Sequence, residues 1–167
     1  MLAAECAWAV LHAEHVRMRK LLDLVNDDLK AGGWACGGSH AQALAALIER
    51  LQAFEQTTHR PKGVVLAQML RGRSMQADDL LIRLESTRHR CDDLLSQAKA
   101  RLKAAASDAA SAADGVEALL LEHRQLMLTH LDEEDSLLPS HTAEHLTREE
   151  WAAVASSISV AMGTAKV

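Results

Sequence analysis

Histidine is the residue type through which this chain could do chemistry. Nine histidines occur in 167 residues, and four of them fall one to each of four long helical patterns: His15, His59, His89 and His130. A single buried imidazole is usually a core residue with a hydrogen bond, because an unpaired buried polar group costs about 1–3 kcal/mol. Four imidazoles on four helices favour a shared site, and imidazole is a ligand for Fe, Zn, Cu and Ni. The set therefore predicts a metal site.

Carboxylates at helical spacing extend this prediction. Glu134 follows His130 by four residues, so both side chains share one helix face, and Glu133 is a less well-spaced alternative. Two divalent ions placed close together repel each other, and a bridging carboxylate lowers that repulsion. The same count of four from His59 leads to Gly63, which has no ligand atom. The second helix therefore lacks the carboxylate that a pair of ions would need.

The elements that carry these residues are helices. Apolar residues and His15 recur at alternating steps of four and three from Leu11 to Leu29, which is typical of a bundle helix. Gly, Pro and polar breaks divide the chain, and they predict helices at about 3–31, 39–70, 75–106 and 114–138, with a short last helix near 147–160. These helices predict an all-α chain, an antiparallel up-down four-helix bundle plus a short C-terminal helix, in one domain over residues 1–167.

Local signals refine the boundaries of these helices. Pro61 is expected to kink or restart the second helix, and Pro139 to disturb or end the fourth. Thr147 and Glu150 have the spacing of a capping box that opens the last helix. The segment AAASDAASAADG, residues 104–115, is low in complexity and predicts a frayed helix end followed by a linker.

Composition excludes several classes of function. The net charge of −5 argues against a nucleic-acid partner. No apolar run approaches the roughly 20 residues of a membrane span, and the N-terminus lacks the pattern of a signal peptide. The three cysteines are widely spaced without CxxC, which favours reduced thiols in the cytoplasm. No nucleophile–base pair or cofactor motif is present, so we expect a protein that is not an enzyme.

Five segments in order resemble one family. They are EHVRMRKLL at 14–22, HRPKGVVL at 59–66, RHRCDDLL at 88–95, HLDEEDSLLP at 130–139 and LTREEW at 146–151. In this order and spacing the chain resembles the bacterial hemerythrin-like domains, the HHE cation-binding family. The resemblance implies a non-haem, usually di-iron, site at the bundle centre, with uses in oxygen binding, iron handling and sensing of O2 or NO. By position, it implies the ligands His15, His59, His89, His130 and Glu134.

The chain departs from the family pattern in its ligand motifs. Arg60 stands where the family has a second His, Gly63 where it has a bridging Glu, and Arg88 where it has the Glu of the third motif. The fourth motif is one residue short, so Glu133 and Glu134 compete for the ligand role. Gly63 removes negative charge from the site, and Arg60 adds positive charge close to it. We therefore expect a weakened site that holds one iron ion or a weakened pair of iron ions, with zinc as a possible occupant.

Three other residues could compensate for the missing carboxylate: Glu85, His123 and His12. Each is expected instead to face solvent or to support a ligand from outside the site. Two classes of function follow. The first is a metal-binding protein with an altered hemerythrin-like site. The second is a metal-free helical bundle that acts as a partner-binding or regulatory module.

Overall fold

The computed structural model describes residues 2–107 and 115–164, and within them every regular element is helical. The elements, in chain order, are α1 (Leu2–Ala31), a 3₁₀ turn (Gly33–Cys36), α2 (Gly38–Phe54), a π-helical segment (Glu55–His59), α3 (Arg60–Leu70), α4 (Met75–Ser107), α5 (Val116–Ser136), α6 (Leu138–His145) and α7 (Arg148–Thr164). The predicted all-α class is confirmed. Residues 108–114, in the predicted linker, lie outside the described residues.

The predicted second helix is three consecutive helical pieces. The α-helical hydrogen-bond pattern gives way to a π-helical one from Glu55 to His59, and α3 begins one residue before Pro61. In an α-helix the ring of Pro61 would clash with the carbonyl four residues earlier, and it has no N–H to donate. The wider π turn removes this conflict, so the chain passes Pro61 without ending the helix.

The region after α5 contains a helix that the sequence did not predict. α5 ends at Ser136, close to the predicted boundary, but α6 then runs from Leu138 to His145. Pro139 lies in the first turn of α6, where a missing N–H costs nothing and the fixed φ is already helical. The predicted capping box of α7 is present, since Thr147 Oγ1 accepts from Glu150 N at 3.2 Å and Glu150 Oε2 accepts from Thr147 N at 2.8 Å.

The chain forms two compact units. Unit 1 comprises Met1–Arg17, Ala53–Ser86 and His130–Val167, and unit 2 comprises Met18–Gln52 and Thr87–Thr129. Each of the four predicted long helices therefore contributes residues to both units. The prediction of a single domain over residues 1–167 stays a prediction.

Each unit has its own buried apolar residues. In unit 1 they include Leu11, Leu66, Leu70, Leu84, Leu138, Trp151 and Val154. In unit 2 they include Leu22, Trp34, Leu44, Ile48, Leu51, Leu94 and Leu102. None of the described helices is long and apolar enough to cross a membrane.

Candidate metal centre

Three imidazoles of unit 1 converge on one buried carboxylate. The Nε2 atoms of His15 and His59 each lie 3.2 Å from Oε2 of Glu134, and Nε2 of His130 lies 3.2 Å from Oε1. All four residues are buried. The imidazole rings of His15 and His59 are 4.9 Å apart between centroids. One ligand atom from each of His15, His59 and Glu134 lies within 4.8 Å of the others, a spacing that could hold a metal ion.

Local helix geometry brings these side chains together. α5 presents His130 and Glu134 one turn apart on the same face. α1 presents Glu14 and His15 as neighbours, and both are buried. His59 is the last residue of the π-helical segment, where its side chain is buried rather than exposed. π turns inside α-helices occur frequently at functional sites, and here the turn carries a candidate ligand.

Asp135 orients His15 from outside the cluster. Its Oδ1 accepts a hydrogen bond from His15 Nδ1 at 2.6 Å, and His12 Nδ1 lies 2.8 Å from the same oxygen. A neutral imidazole that donates from Nδ1 keeps its lone pair on Nε2, which is the atom directed at Glu134. Metal-bound histidines almost always have such an outer partner, because it fixes the tautomer and the ring orientation. His12 itself is exposed, so it supports the site from outside.

A buried ion pair lies beside His59. Lys62 is 1% exposed, and its Nζ donates to Glu14 Oε1 at 2.5 Å and to the carbonyl of Thr58 at 2.6 Å. The other oxygen of Glu14, Oε2, lies 3.6 Å from His59 Nδ1. The ammonium of Lys62 thus neutralises a carboxylate that stands next to a candidate ligand.

The charges of the cluster are strongly coupled. Burial opposes the charged imidazole of His59, but hydrogen bonding and charge from Glu134 and Glu14 outweigh it and raise the pKa of His59 to about 9. Burial likewise opposes the Glu134 carboxylate, yet the imidazoles of His130, His15 and His59 beside it hold its pKa well below the ordinary value. An incoming metal ion must displace the proton of His59, so metal and proton compete for this nitrogen.

Gly63 and Arg60 take different positions at this site. A Cβ added to Gly63 would lie 4.0 Å from Oε1 of Glu134, so the residue faces the cluster and leaves space beside its carboxylate. Arg60 instead pairs with Glu55, with Nε 2.9 Å from Oε1 and Nη2 2.6 Å from Oε2. The positive charge that Arg60 brings close to the site is therefore compensated by Glu55.

His89, unlike the other predicted ligands, is not buried. Its side chain is exposed on α4 in unit 2, whereas Leu84, Cys91 and Leu95 are buried. Five residues separate His89 from Leu84, which turns it roughly 140° away from that stripe at 3.6 residues per turn. The prediction of an inward-facing histidine on α4 is wrong. The roles of His15, His59, His130 and Glu134 as ligands stay a prediction.

The burial of Glu133, Glu85 and His123 tests whether these alternative residues take part in the site. Glu133 is half-buried, with Oε1 3.8 Å from Nε of Arg83, so Glu134 is the carboxylate that joins the histidines. Glu85 is exposed and lies near Arg71, with 3.7 Å between their charged atoms. His123 is buried, so the expectation that it faces solvent is wrong, and the alternative that it supports a ligand stays a prediction.

Sequence reasoning missed two residues of the site, Lys62 and Asp135. Lys62 occurs in the motif HRPKG and pairs with Glu14, 48 positions away. Asp135 follows Glu134 directly and pairs with His15, 120 positions away. Lys62 could have been identified from the sequence, because it is a charged residue three positions after the predicted ligand His59. Nothing in the spacing of Asp135 distinguishes it from Glu133.

The donor set fits a metal ion. Of the three Nε2 atoms that face Glu134, that of His15 is buried and makes no hydrogen bond of good geometry among the described residues, although it lies 3.2 Å from Oε2 of Glu134. Buried polar atoms are normally paired, so an unpaired nitrogen beside a carboxylate indicates a group that the protein atoms alone do not satisfy. Three imidazoles and one carboxylate form a donor set suited to Fe or Zn.

Comparison with known families agrees with this geometry. The model of the hemerythrin HHE cation binding domain matches residues 6–141, which is most of the chain. The chain therefore belongs to the hemerythrin HHE cation-binding family, and its helical fold is consistent with a hemerythrin-like bundle. No curated protein and no solved structure matches the chain.

Proposed function

We propose that this protein binds one iron ion at His15, His59, His130 and Glu134, and that it serves iron handling or the sensing of O2 or NO. The observation that carries the proposal is the convergence of three buried imidazole Nε2 atoms on the Glu134 carboxylate, each at 3.2 Å. Iron held by imidazole and carboxylate would supply the binding of a diatomic gas. Zinc could occupy the same donor set.

The charges around the site support one ion rather than two. Gly63 offers no carboxylate beside Glu134, although a side chain there would face it. Glu14, the other buried carboxylate nearby, is held by the ammonium of Lys62. Two divalent ions would therefore share only the charge of Glu134, and their repulsion would be poorly compensated.

The test compares two neighbouring isosteric variants. Glu134→Gln keeps the volume of the side chain and removes its charge, and we expect affinity for Fe(II) to fall by about 100-fold or more, since even outer-shell changes cost 10–100-fold. Glu133→Gln is the matched control and should bind Fe(II) like the parent, because Glu133 lies outside the cluster. Anaerobic titration calorimetry with Fe(II), repeated with Zn(II), measures both. Equal loss in the two variants, or none in either, contradicts the proposal.

A metal-free role is the second candidate, and one observation favours it. Lys62 and the protonated His59 bring two positive charges to the two carboxylates Glu14 and Glu134, so the interior is neutral without an ion. In that case the bundle would act as a partner-binding or regulatory module. Parent protein that binds neither Fe(II) nor Zn(II) at millimolar concentration would favour this candidate.

Two further expectations belong to this proposal. We propose a cytoplasmic protein, supported by Cys6, Cys36 and Cys91, none of which forms a disulfide. We also propose that it is not an enzyme, since the cluster in unit 1 contains ligand types but no nucleophile activated by a base. O2 or NO, rather than an organic substrate, is the molecule that we expect it to bind.

A further inference from the structure

Two histidines of α6 lie one helical turn apart. The imidazole rings of His141 and His145 are 6.4 Å apart between centroids, and their planes differ by only 15°. Glu144 is adjacent, with Oε2 3.9 Å from Nε2 of His145. One ligand atom from each of these three residues lies within 4.8 Å of the other two. Small side-chain rotations can therefore direct two nitrogens and one oxygen at a common ion.

Solvent reaches this group directly. Both imidazoles are half-buried, and the side chain of Glu144 is 72% exposed. The candidate centre on Glu134 is different, since its imidazoles are buried. An ion can thus bind to α6 from solution without any opening of the interior of unit 1.

The backbone that bears the two rings is well anchored. Thr142, between them in sequence, is fully buried, and its Oγ1 donates to the carbonyls of Leu138 and Pro139 at 2.8 and 3.0 Å. Leu138 and Leu146, on either side, belong to the apolar core of unit 1. Because the helix is fixed by its buried face, the half-buried rings need few further restraints to form a chelating pair, which lowers the entropic cost of binding.

Electrostatics at the end of α6 favour a cation. His145 is the last residue of this helix, where the unpaired carbonyl groups carry the negative end of the helix dipole. Glu144 adds a full negative charge beside it. Two imidazoles one turn apart plus a carboxylate suit borderline-soft divalent ions such as Zn(II), Ni(II) and Cu(II) better than Mg(II) or Ca(II), which prefer oxygen.

We infer that His141, Glu144 and His145 form a second, solvent-accessible site for a divalent transition-metal ion, independent of the centre on Glu134. The ion bound there is a borderline-soft divalent cation, and water molecules complete its coordination. Nothing in this inference requires the interior centre to bind iron, so each site can be present without the other.

The experiment isolates the surface site in Glu134→Gln protein, in which the interior centre has lost its carboxylate. Calorimetric titration with Ni(II), and separately with Zn(II), should still give one ion per chain. Adding His141→Ala or His145→Ala should lower that affinity by about 10-fold or more, because one of three ligands is gone. His40→Ala removes an exposed histidine elsewhere on the surface, and it should leave the titration unchanged.

A second measurement locates the ion directly. Histidine ring signals in NMR spectra of the Glu134→Gln protein should shift for His141 and His145 on addition of Zn(II), while that of His40 stays in place. The inference is overturned if the Glu134→Gln protein binds no ion. It is also overturned if both α6 variants titrate like the His40→Ala control, or if the shifts fall on other histidines. Circular dichroism of each variant verifies that it is folded.

Discussion

Two buried histidines, His59 in unit 1 and His123 in unit 2, show how differently the same side chain behaves. Both are less than 5% exposed. The carboxylates Glu134 and Glu14 raise the pKa of His59 to about 9, whereas burial lowers the pKa of His123 to about 4, against a weaker opposing effect of Asp92. Leu22, Val25, Leu29 and Leu120 line the space around His123, and its Nε2 has no hydrogen-bond partner in the described parts of the chain.

The contrast shows that burial alone does not make a site. His123 is as buried as His59, but most of its neighbours are apolar, and the charge of Asp92 does not offset the effect of burial. His123 is therefore neutral at physiological pH, and burying it costs the free energy of an unpaired polar atom. His59 belongs to a cluster in which each charge is compensated by another. The same substitution at the two positions should therefore change stability in opposite directions.

Replacing His59 should have the largest effect on stability. His59→Leu removes a cation from between two buried carboxylates, and breaking a buried ion pair costs about 3–5 kcal/mol. We expect a loss of this size in the free energy of unfolding, measured by urea denaturation at pH 7 with EDTA present. His123→Leu is the matched control, and it should not lose stability. If both variants lose equally, the compensation argued for the cluster in unit 1 is wrong.

The free energy of unfolding at acid pH should depend on the protonation of His123. Its pKa is about 4 in the folded state and 6.5 in the unfolded state, so the unfolded state binds more protons between these values. The stability that comes from keeping His123 neutral is complete above pH 6.5 and decreases as the pH falls toward 4. At pH 5 the loss should be about 2 kcal/mol.

Comparison with a variant isolates this contribution from other titrating groups. The difference in unfolding free energy between His123→Leu and the parent should grow in favour of the variant by about 2 kcal/mol from pH 7 to pH 5. Arg124, the charged neighbour that lines the same space, is paired with Asp23 at 3.0 Å. A difference that is independent of pH would show that His123 does not titrate as its surroundings imply.

Gly63→Glu should change stability least but metal content most clearly. The new carboxylate would face Oε1 of Glu134, so repulsion offsets the gain of up to about 1 kcal/mol from replacing a helical glycine. In the metal-free protein we expect a net change within about 1 kcal/mol. Metal per chain should rise from one toward two, because the added charge lies where a second ion needs it.

Gly63→Gln is the control for this variant, since it has the same length and no charge. Metal analysis after anaerobic loading with Fe(II) compares the two. Should both retain the metal content of the parent while folded, Gly63 is not the missing part of the site. Adding Arg60→His is not needed as a first step, because Arg60 is paired with Glu55, and its loss would remove two hydrogen bonds from that buried carboxylate.

The sequence predicted those parts of the site that follow from helical spacing. His15 and His130 lie on apolar stripes, and Glu134 lies one turn after His130, so their burial follows from periodicity. His89 lies one position off the apolar stripe of its helix. The family pattern predicted that its side chain faces inward, whereas the apolar period of the helix predicts that it faces outward, as the structure shows. At that position the local period was the better guide.

The remaining features depend on contacts between distant parts of the chain. The pairs Lys62–Glu14 and Asp135–His15 join residues 48 and 120 positions apart, and no local pattern specifies them. The π-helical segment likewise has the composition of an ordinary helix. α6 was missed for a different reason, since Pro139 indicated the end of a helix when it occupies the first turn of the next one.

The π-helical segment has a consequence for how this stretch tolerates insertions and deletions. Phe54 and His59 are both buried although they are five residues apart, and a continuous α-helix would separate them by roughly 140°. Removing one exposed residue, Gln56 or Thr57, would leave four steps and only about 40° between them in an α-helix, so both would stay buried.

The shortened chain would, however, bring back the clash between the ring of Pro61 and the carbonyl four residues earlier. Deletion of one residue is therefore compatible with the site only when Pro61 is replaced as well. The extra residue and the proline therefore depend on each other. In alignments of hemerythrin-like chains, a chain that has one of them should also have the other.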